Sequence, residues 1–147
     1  MASYLTPDIL INIEKNNLYL HIKLLKTIMI IKNDLLKSII EGIREKKGKN
    51  INTIEVKGIS GAVCDYFVIC EGNTPTQVSA LAESVETIVK KNTNEKPVRI
   101  HGRQRSEWIG IDYGDIIVHI FLPELREYYK LDLLWDDARS EREPNID

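Results

Sequence analysis

The sequence predicts one α/β domain in which helices cover a mixed sheet of about five strands. Apolar residues repeat at helical spacing over residues 34–46 and 77–91. Five shorter segments have the alternating or wholly apolar pattern of strands, at residues 52–57, 65–71, 97–102, 108–112 and 115–121. With 147 residues and an apolar fraction of 43%, the chain is long enough to bury one core.

The charges of the chain are nearly balanced. Twenty basic and 22 acidic residues leave a formal net charge of -2. That balance argues against a protein that binds nucleic acid by neutralising phosphates. Acids are concentrated at the end of the chain, so residues 139–147 are interpreted as an acidic C-terminal tail. We therefore expect no strong direct binding to nucleic acid.

Residues 1–30 differ in composition from the rest of the chain. Leu18–Ile31 is the most apolar run, but its 14 residues are too few to span a bilayer. Asp8 and Glu14 precede it, where a signal peptide would carry basic residues. We interpret residues 1–30 as an extension that is dispensable for function and expect no membrane partner. A docked extra helix and a natural start at Met29 are the alternatives.

The first helix of the domain is predicted over residues 34–46, with Asn33 as its N-cap. The next segment, Asn52–Lys57, alternates between apolar and polar residues and so predicts a half-exposed strand. Asp65–Glu71 is apolar on both faces, which is typical of a central strand covered on two sides.

The second helix has the clearest start signal in the chain. Thr74 suits the N-cap, Pro75 the first helical position, and Gln77 the position three residues after the cap. The preceding Gly72-Asn73 turn could cradle an anion at the helix N-terminus. No phosphate-loop or dinucleotide-binding motif accompanies it, so a capped turn is favoured.

Residues 108–135 contain both tryptophans and three of the six tyrosines. Trp108–Asp112 and Asp115–Phe121 predict a hairpin joined by Tyr113 and Gly114. Pro123 begins a helix, and residues 131–135 add a short helical turn. By its chemistry Trp108 suits a core and a binding hot spot equally well. The segment is interpreted as a binding surface together with the frame that holds it.

Carboxylates and histidines are the candidates for catalysis or metal binding. Turn aspartates commonly bond their own backbone, so Asp112 and Asp115 are interpreted as solvated turn residues rather than metal ligands. His101 and His119 lack the spacing of zinc ligands. We expect no metal and no cofactor.

The two cysteines, Cys64 and Cys70, are six residues apart. In one extended strand they would be roughly 20 Å apart, which is too far for a disulfide. Free thiols are typical of a reducing compartment, so we expect a cytoplasmic protein.

Three sequence blocks carry a resemblance to a known family. They are D-Y-F-V-I-C-x-G-N-x-x-x-Q-V at 65–78, W-I-x-I-D-Y-G-D-I-I-V-H-I-F at 108–121 and R-x-Y-Y-x-L-x-x-L-W at 126–135. In content and order these blocks resemble the ribosomal silencing factor family, also named Iojap-like. The resemblance covers about residues 32–138, and we assign the family domain to 31–138. Glu71 departs from the pattern, because family members often carry Ser or Thr there.

The resemblance implies a nucleotidyltransferase-like α/β sandwich without enzymatic activity. It implies binding to the large ribosomal subunit through large-subunit protein fourteen, which would block joining of the small subunit and repress translation under nutrient limitation. It also suggests homodimers. The partner-binding role is carried over to Trp108, Asp112, Tyr113, Gly114, Asp115 and His119, with Asp65, Arg126 and Tyr129 as weaker candidates.

An enzyme is the alternative to a silencing factor. A nucleotidyltransferase-like enzyme would use Asp112 and Asp115 with a divalent metal. Such an enzyme needs a glycine–serine pair before a helix, followed by two acids at positions i and i+2 of a strand. Gly72-Asn73-Thr74 matches the first element only loosely, and no D-x-D follows it.

Overall fold

The structure is a computed structural model that describes residues 6–146. The chain divides into two compact units, one ending at Asn33 and the other beginning at Asp34. In the first unit the chain is helical from Pro7, and nearly every described side chain is exposed. This helix, α1, is assigned from Pro7 to Glu45, so the predicted cap at Asn33 is wrong. No proline or glycine interrupts residues 8–41, and an asparagine alone does not end a helix.

Six strands form one mixed sheet in the second unit. Their order across the sheet is β3-β4-β5-β2-β1-β6. Strands β2 and β5 pair in parallel, and all other pairs are antiparallel. The mixed α/β architecture is confirmed, with six strands rather than five. The strands are β1 Lys49–Glu55, β2 Tyr66–Glu71, β3 Arg99–His101, β4 Trp108–Asp112, β5 Ile116–Phe121 and β6 Arg139–Arg142.

The sixth strand, β6, has no counterpart in the sequence prediction. Its four residues are all exposed and none is apolar, so it has no hydrophobic pattern to detect. It is held as an edge strand by antiparallel pairing with β1. The hydroxyl of Ser140 also donates to Oδ1 of Asn52 at 2.6 Å. This strand exists because of main-chain pairing, which no local pattern encodes.

The second helix, α2, runs from Pro75 to Thr93 and confirms its predicted start. The hydroxyl of Thr74 accepts a hydrogen bond from the backbone N–H of Gln77 at 3.1 Å. The side chain of Gln77 accepts in turn from the backbone N–H of Asn73 at 2.8 Å. The first bond satisfies an N–H that the first helical turn would otherwise leave unpaired, and the second ties the residue before the cap to the same turn.

One face of the sheet holds the larger core. Helix α2 and residues 35–43 of α1 pack on this face against side chains from the central strands. Val68 and Cys70 of β2 point into this core, whereas Ile69 points into the opposite one. Strand β2 is therefore buried on both faces, as its continuous apolar run predicts.

The opposite face is covered only in part. The third helix, α3, runs from Pro123 to Tyr129 and is followed by a 3-10 helix at Leu131–Leu133. Apolar side chains of these two elements pack over a smaller core built around Ile54, Ile69 and Phe121. The predicted second helical turn is thus confirmed as a 3-10 helix, and the sheet beyond it, at β3 and β4, stays open.

Both cysteines are free, as predicted, and both are buried. Burial raises the pKa of the Cys64 thiol to about 11 and that of Cys70 to about 12. Both thiols are therefore protonated at neutral pH, which makes them poor nucleophiles. Within residues 6–146, no helix combines the length and the apolar character needed to cross a membrane.

Candidate functional site

An open concavity of about 530 Å³ lies on the uncovered part of the second face. Gly110 lines it, and its two neighbours across the sheet are His101 on β3 and His119 on β5. A Cβ built on Gly110 would meet no atom within 4 Å, so the floor of the concavity is bare backbone. The surrounding residues are Val63, Arg99, His101, Gly102, Trp108, Asp112, Ile117 and His119.

Trp108 forms one wall of the concavity and is held on several sides. Its indole Nε1 donates a hydrogen bond to Nδ1 of His119 at 3.1 Å. Its ring stacks on Phe121 with centroids 4.8 Å apart, and the ring of Tyr129 lies at the same centroid distance. Trp108 is half-buried, so it packs in the smaller core and also borders the concavity. Each aromatic pair of this kind contributes about 0.5–1.5 kcal/mol beyond simple burial.

His119 is a neutral hydrogen-bonding group at physiological pH. Burial lowers the pKa of its imidazole to about 4. Because Nδ1 accepts from Trp108, the proton of the neutral ring lies on Nε2. Within the described part of the chain, Nε2 has no hydrogen-bond partner and is not fully buried. The ring therefore keeps one N–H donor for a ligand.

The turn of the hairpin is displaced by one residue from the prediction. The backbone N–H of Tyr113 donates to the carbonyl of Ile116 at 2.9 Å, so the two turn residues are Gly114 and Asp115. Gly114 has a φ angle of +86°, which glycine adopts without strain. A glycine at the first of two turn residues is typical of a type II′ hairpin. Tyr113 thus extends the strand pairing and is not part of the turn.

Both oxygens of the Asp112 carboxylate have contacts within the hairpin region. Oδ1 accepts the backbone N–H of Gly114 at 2.7 Å, which confirms the predicted bond of a turn aspartate to its own backbone. Oδ2 lies 3.4 Å from Nε of Arg99 on the neighbouring strand. Among the described residues, no group of three or more His, Cys, Asp or Glu side chains is placed to hold a metal ion.

Tyr113 lies on the opposite face from the concavity. Side chains alternate along β4, so Trp108, Gly110 and Asp112 border the concavity while Ile109, Ile111 and Tyr113 join the larger core. Tyr113 is only 7% exposed, and among residues 6–146 its hydroxyl has no hydrogen-bond partner. Burial, with smaller contributions from Glu86 and Glu95, raises the pKa of that hydroxyl. Tyr113 is placed to support the hairpin from inside.

Asp65 and Asp115 meet through their backbones at the end of the hairpin. The carbonyl of Asp115 accepts from the N–H of Asp65 at 2.8 Å and from that of Tyr66 at 3.1 Å. Asp65 is half-buried, whereas Gly114 and Asp115 are exposed. These bonds continue the parallel pairing of β2 and β5, so they tie the turn to the central strand.

Arg126 is buried, and both terminal nitrogens of its guanidinium donate hydrogen bonds to other residues of the chain. Its Nη1 donates to the carbonyl of Asn50 at 2.6 Å and to Glu71 Oε1 at 3.1 Å. Its Nη2 donates to Asp132 Oδ2 at 2.8 Å. Glu71, the departure from the family pattern, is therefore an ion-pair partner of this arginine. The guanidinium joins α3 and the 3-10 helix to β1 and β2, and it does not line the concavity.

The structure brings together only part of the predicted set. Trp108, Asp112 and His119 line the concavity, and Tyr129 contacts Trp108. The lining residues absent from the prediction are Val63, Arg99, His101, Gly102, Gly110 and Ile117. Most of them reach the site because the pairing of β3, β4 and β5 sets them side by side, and Val63 reaches it because of the path of the loop between β1 and β2. No sequence pattern predicts either the strand pairing or the path of the loop.

Comparison with known proteins identifies the family. A model of the family described as "Ribosomal silencing factor during starvation" matches residues 30–147. The chain belongs to this family. The resemblance of the three sequence blocks is thereby confirmed. A family member from Halalkalibacterium halodurans, named "Ribosomal silencing factor RsfS", is 35% identical over 105 residues, covering 71% of this chain and 88% of that protein.

Two further relatives extend the comparison. The crystal structure of a protein from Chromobacterium violaceum matches with a TM-score of 0.67 and 29% identity, over 78% of this chain and 90% of that one. A mouse protein named "Mitochondrial assembly of ribosomal large subunit protein 1" is 31% identical over 95 residues, covering 63% of this chain and 41% of its own length. A fold similar to that of this chain is therefore found in a solved structure.

Proposed function

We propose that this silencing-factor family member binds the large ribosomal subunit through large-subunit protein fourteen. Bound on the face that meets the small subunit, it blocks subunit joining and represses translation when nutrients are scarce. The family match over residues 30–147 carries this proposal. The name of the mouse relative, which refers to assembly of the ribosomal large subunit, supports a large-subunit partner.

The concavity around Gly110 is the proposed docking surface. Steric blocking needs a rigid, complementary surface and no catalytic turnover, so we propose that the protein acts by binding alone. Trp108 fits this role, because its indole is held by His119 and Phe121 before any partner arrives. An ordered ring loses little conformational entropy on binding, and tryptophan is the residue type most enriched in hot spots.

The predicted site residues take different roles in this proposal. Trp108, Asp112 and His119 contact the partner directly from the walls of the concavity. The surface continues on one side through Tyr129 and on the other through the hairpin end at Asp65, Gly114 and Asp115. Tyr113 and Arg126 hold the surface in place from inside the protein.

Gradient sedimentation tests the choice of subunit. Tagged protein in a cell lysate is expected to sediment with free large subunits and to be absent from whole ribosomes. Addition of purified protein to separated subunits is expected to reduce the yield of joined ribosomes. Sedimentation with whole ribosomes, or with small subunits only, would contradict the proposal.

Site-directed cross-linking tests the surface and the named partner. A photo-reactive residue at Val63, which is 77% exposed at the edge of the concavity, is expected to cross-link to large-subunit protein fourteen. The matched control is the same residue at Ser79, which is exposed on α2, the helix on the opposite face of the sheet. Equal cross-linking from both positions would reject the concavity as the docking surface.

A further inference from the structure

The segment from Glu124 to Asp137 exposes an unusual amount of apolar surface. From Asp34 onwards, the described residues include seven exposed large apolar side chains, and four of them lie in this segment. They are Tyr128 at 78% exposure, Leu134 at 68%, Leu133 at 58% and Tyr129 at 47%. Clustered exposed aromatic and aliphatic side chains of this kind mark interaction sites. The segment therefore offers a partner more contact surface than Tyr129 alone.

This exposed segment is continuous with the concavity. The ring of Tyr129 lies 4.8 Å from that of Trp108, measured between centroids. The ring of Tyr128 meets Tyr129 edge-on, with centroids 5.1 Å apart and planes at 88°. Three rings therefore run in a row from the wall of the concavity onto the surface of α3. A partner seated on Trp108 would have Tyr129 and Tyr128 within its reach.

The charges of the same segment are mostly negative. Its exposed charged residues are one base, Lys130, and four acids: Glu124, Glu127, Asp136 and Asp137. Lys130 forms a long ion pair of 3.6 Å with Glu127, and both side chains are largely exposed. Such a surface pair is weak and leaves the acids accessible to a partner. The fifth acid, Asp132, is tied to Arg126.

We infer that the Glu124–Asp137 segment extends the docking surface beyond Tyr129 and binds a basic protein segment of the large-subunit partner. Arginine or lysine side chains of that segment would stack on the exposed ring of Tyr128 and pair with Glu124 and Glu127. The acids favour a basic protein over RNA, because they would repel phosphates. This inference rests on the proposed function, since it assumes that the large subunit is the partner.

Binding of purified large subunits to immobilised protein tests the inference. Tyr128→Ser removes the stacking ring and is expected to lower the affinity about two- to fivefold, as for an exposed cation–π contact. The double substitution Glu124→Gln with Glu127→Gln is expected to lower the affinity by a similar factor and to reduce its dependence on salt. The matched controls are Tyr128→Phe and Glu83→Gln, the latter at an exposed position of α2, and both are expected to bind as the unaltered protein does.

The outcomes separate the alternative occupants. Tighter binding after neutralisation of the two glutamates would show that RNA faces the segment and would overturn the inference. A concentration-dependent dimer that Tyr128→Ser abolishes, with unchanged large-subunit binding, would assign the segment to a second copy of this chain and would also overturn it. If the unaltered protein binds and the variants bind equally well, only this inference fails. If the unaltered protein does not bind large subunits, the proposed function itself fails.

Discussion

The indole Nε1 of Trp108 donates a hydrogen bond to Nδ1 of His119 across two antiparallel strands, at 3.1 Å. The strand register pairs Trp108 with Phe121 and His119 with Gly110, so the two bonded residues are diagonal neighbours on one face. This contact positions the tryptophan ring and selects the histidine tautomer. Both effects prepare the proposed docking surface before a partner binds.

Replacement of His119 tests the importance of this bond. His119→Leu leaves the half-buried indole N–H of Trp108 without its acceptor, so we expect the free energy of unfolding to fall by about 1–3 kcal/mol. His119→Asn keeps an acceptor near the position of Nδ1 and should lose less. Urea unfolding followed by tryptophan fluorescence measures both changes. Equal losses in the two variants would show that packing, and not the hydrogen bond, dominates.

The lowered pKa of His119 predicts a loss of stability in acid. Its pKa is about 4 in the folded protein, against an ordinary value of 6.5. Between these values the unfolded chain binds a proton that the folded protein excludes, so stability is complete above pH 6.5 and declines as the pH falls towards 4. From pH 7 to pH 4.5 the protein should lose roughly 2–3 kcal/mol more than His119→Asn. Parallel pH profiles of the two proteins would argue against a depressed pKa.

Two glycines of the same region should respond oppositely to valine. Gly110 lies within β4, has no positive φ angle, and leaves open space for a side chain. Gly110→Val should therefore raise the free energy of unfolding by about 0.5–1 kcal/mol, because glycine is a poor strand residue. Gly102 has a φ angle of +92°, and a Cβ there would lie 1.9 Å from the carbonyl oxygen of Trp108. Gly102→Val should destabilise, and thermal unfolding of both variants tests the contrast.

Removal of the Arg126 guanidinium should cost much more than removal of an exposed one. Arg126→Met leaves the carboxylates of Glu71 and Asp132, which are 16% and 17% exposed, without their charged partner. We expect a loss of about 3–5 kcal/mol in the free energy of unfolding. The control is Arg99→Met, whose 65% exposed side chain should contribute less than about 1 kcal/mol. Similar losses for both variants in urea unfolding would contradict a buried role for Arg126.

The N-terminal extension is expected to be dispensable. Deletion of residues 1–28 should leave large-subunit binding and the unfolding midpoint unchanged, because all described residues before Ile31 are exposed. The control is a deletion that also removes Leu35, Ile39 and Ile43, which belong to the larger core. That longer deletion should abolish cooperative unfolding. Loss of large-subunit binding in the short deletion would assign a function to the extension.

Local signals in the sequence predicted several elements well. The Thr74 cap and the limits of β4 depend on neighbouring residues, so a single sequence contains the information needed to place them. Predictions failed where tertiary contacts decide the outcome. The helix continues past Asn33, and the turn of the hairpin lies at Gly114-Asp115. The residues around Asn33 suit both a helix start and a helix interior, and Gly114 suits either position of a two-residue turn.

Residue patterns alone were sufficient for the α/β class, the apolar central strand and the family, because each depends on the order and periodicity of residues along the chain. Strand register decided the rest. The register places Trp108 beside His119 and Gly110 in the lining of the concavity. It also points the side chain of Tyr113 into the larger core. Arg126 became an internal anchor because Glu71 and Asp132, distant from each other in sequence, converge on it. Such contacts form only when separate segments pack together, so the open, aromatic-walled face is a property of the folded protein.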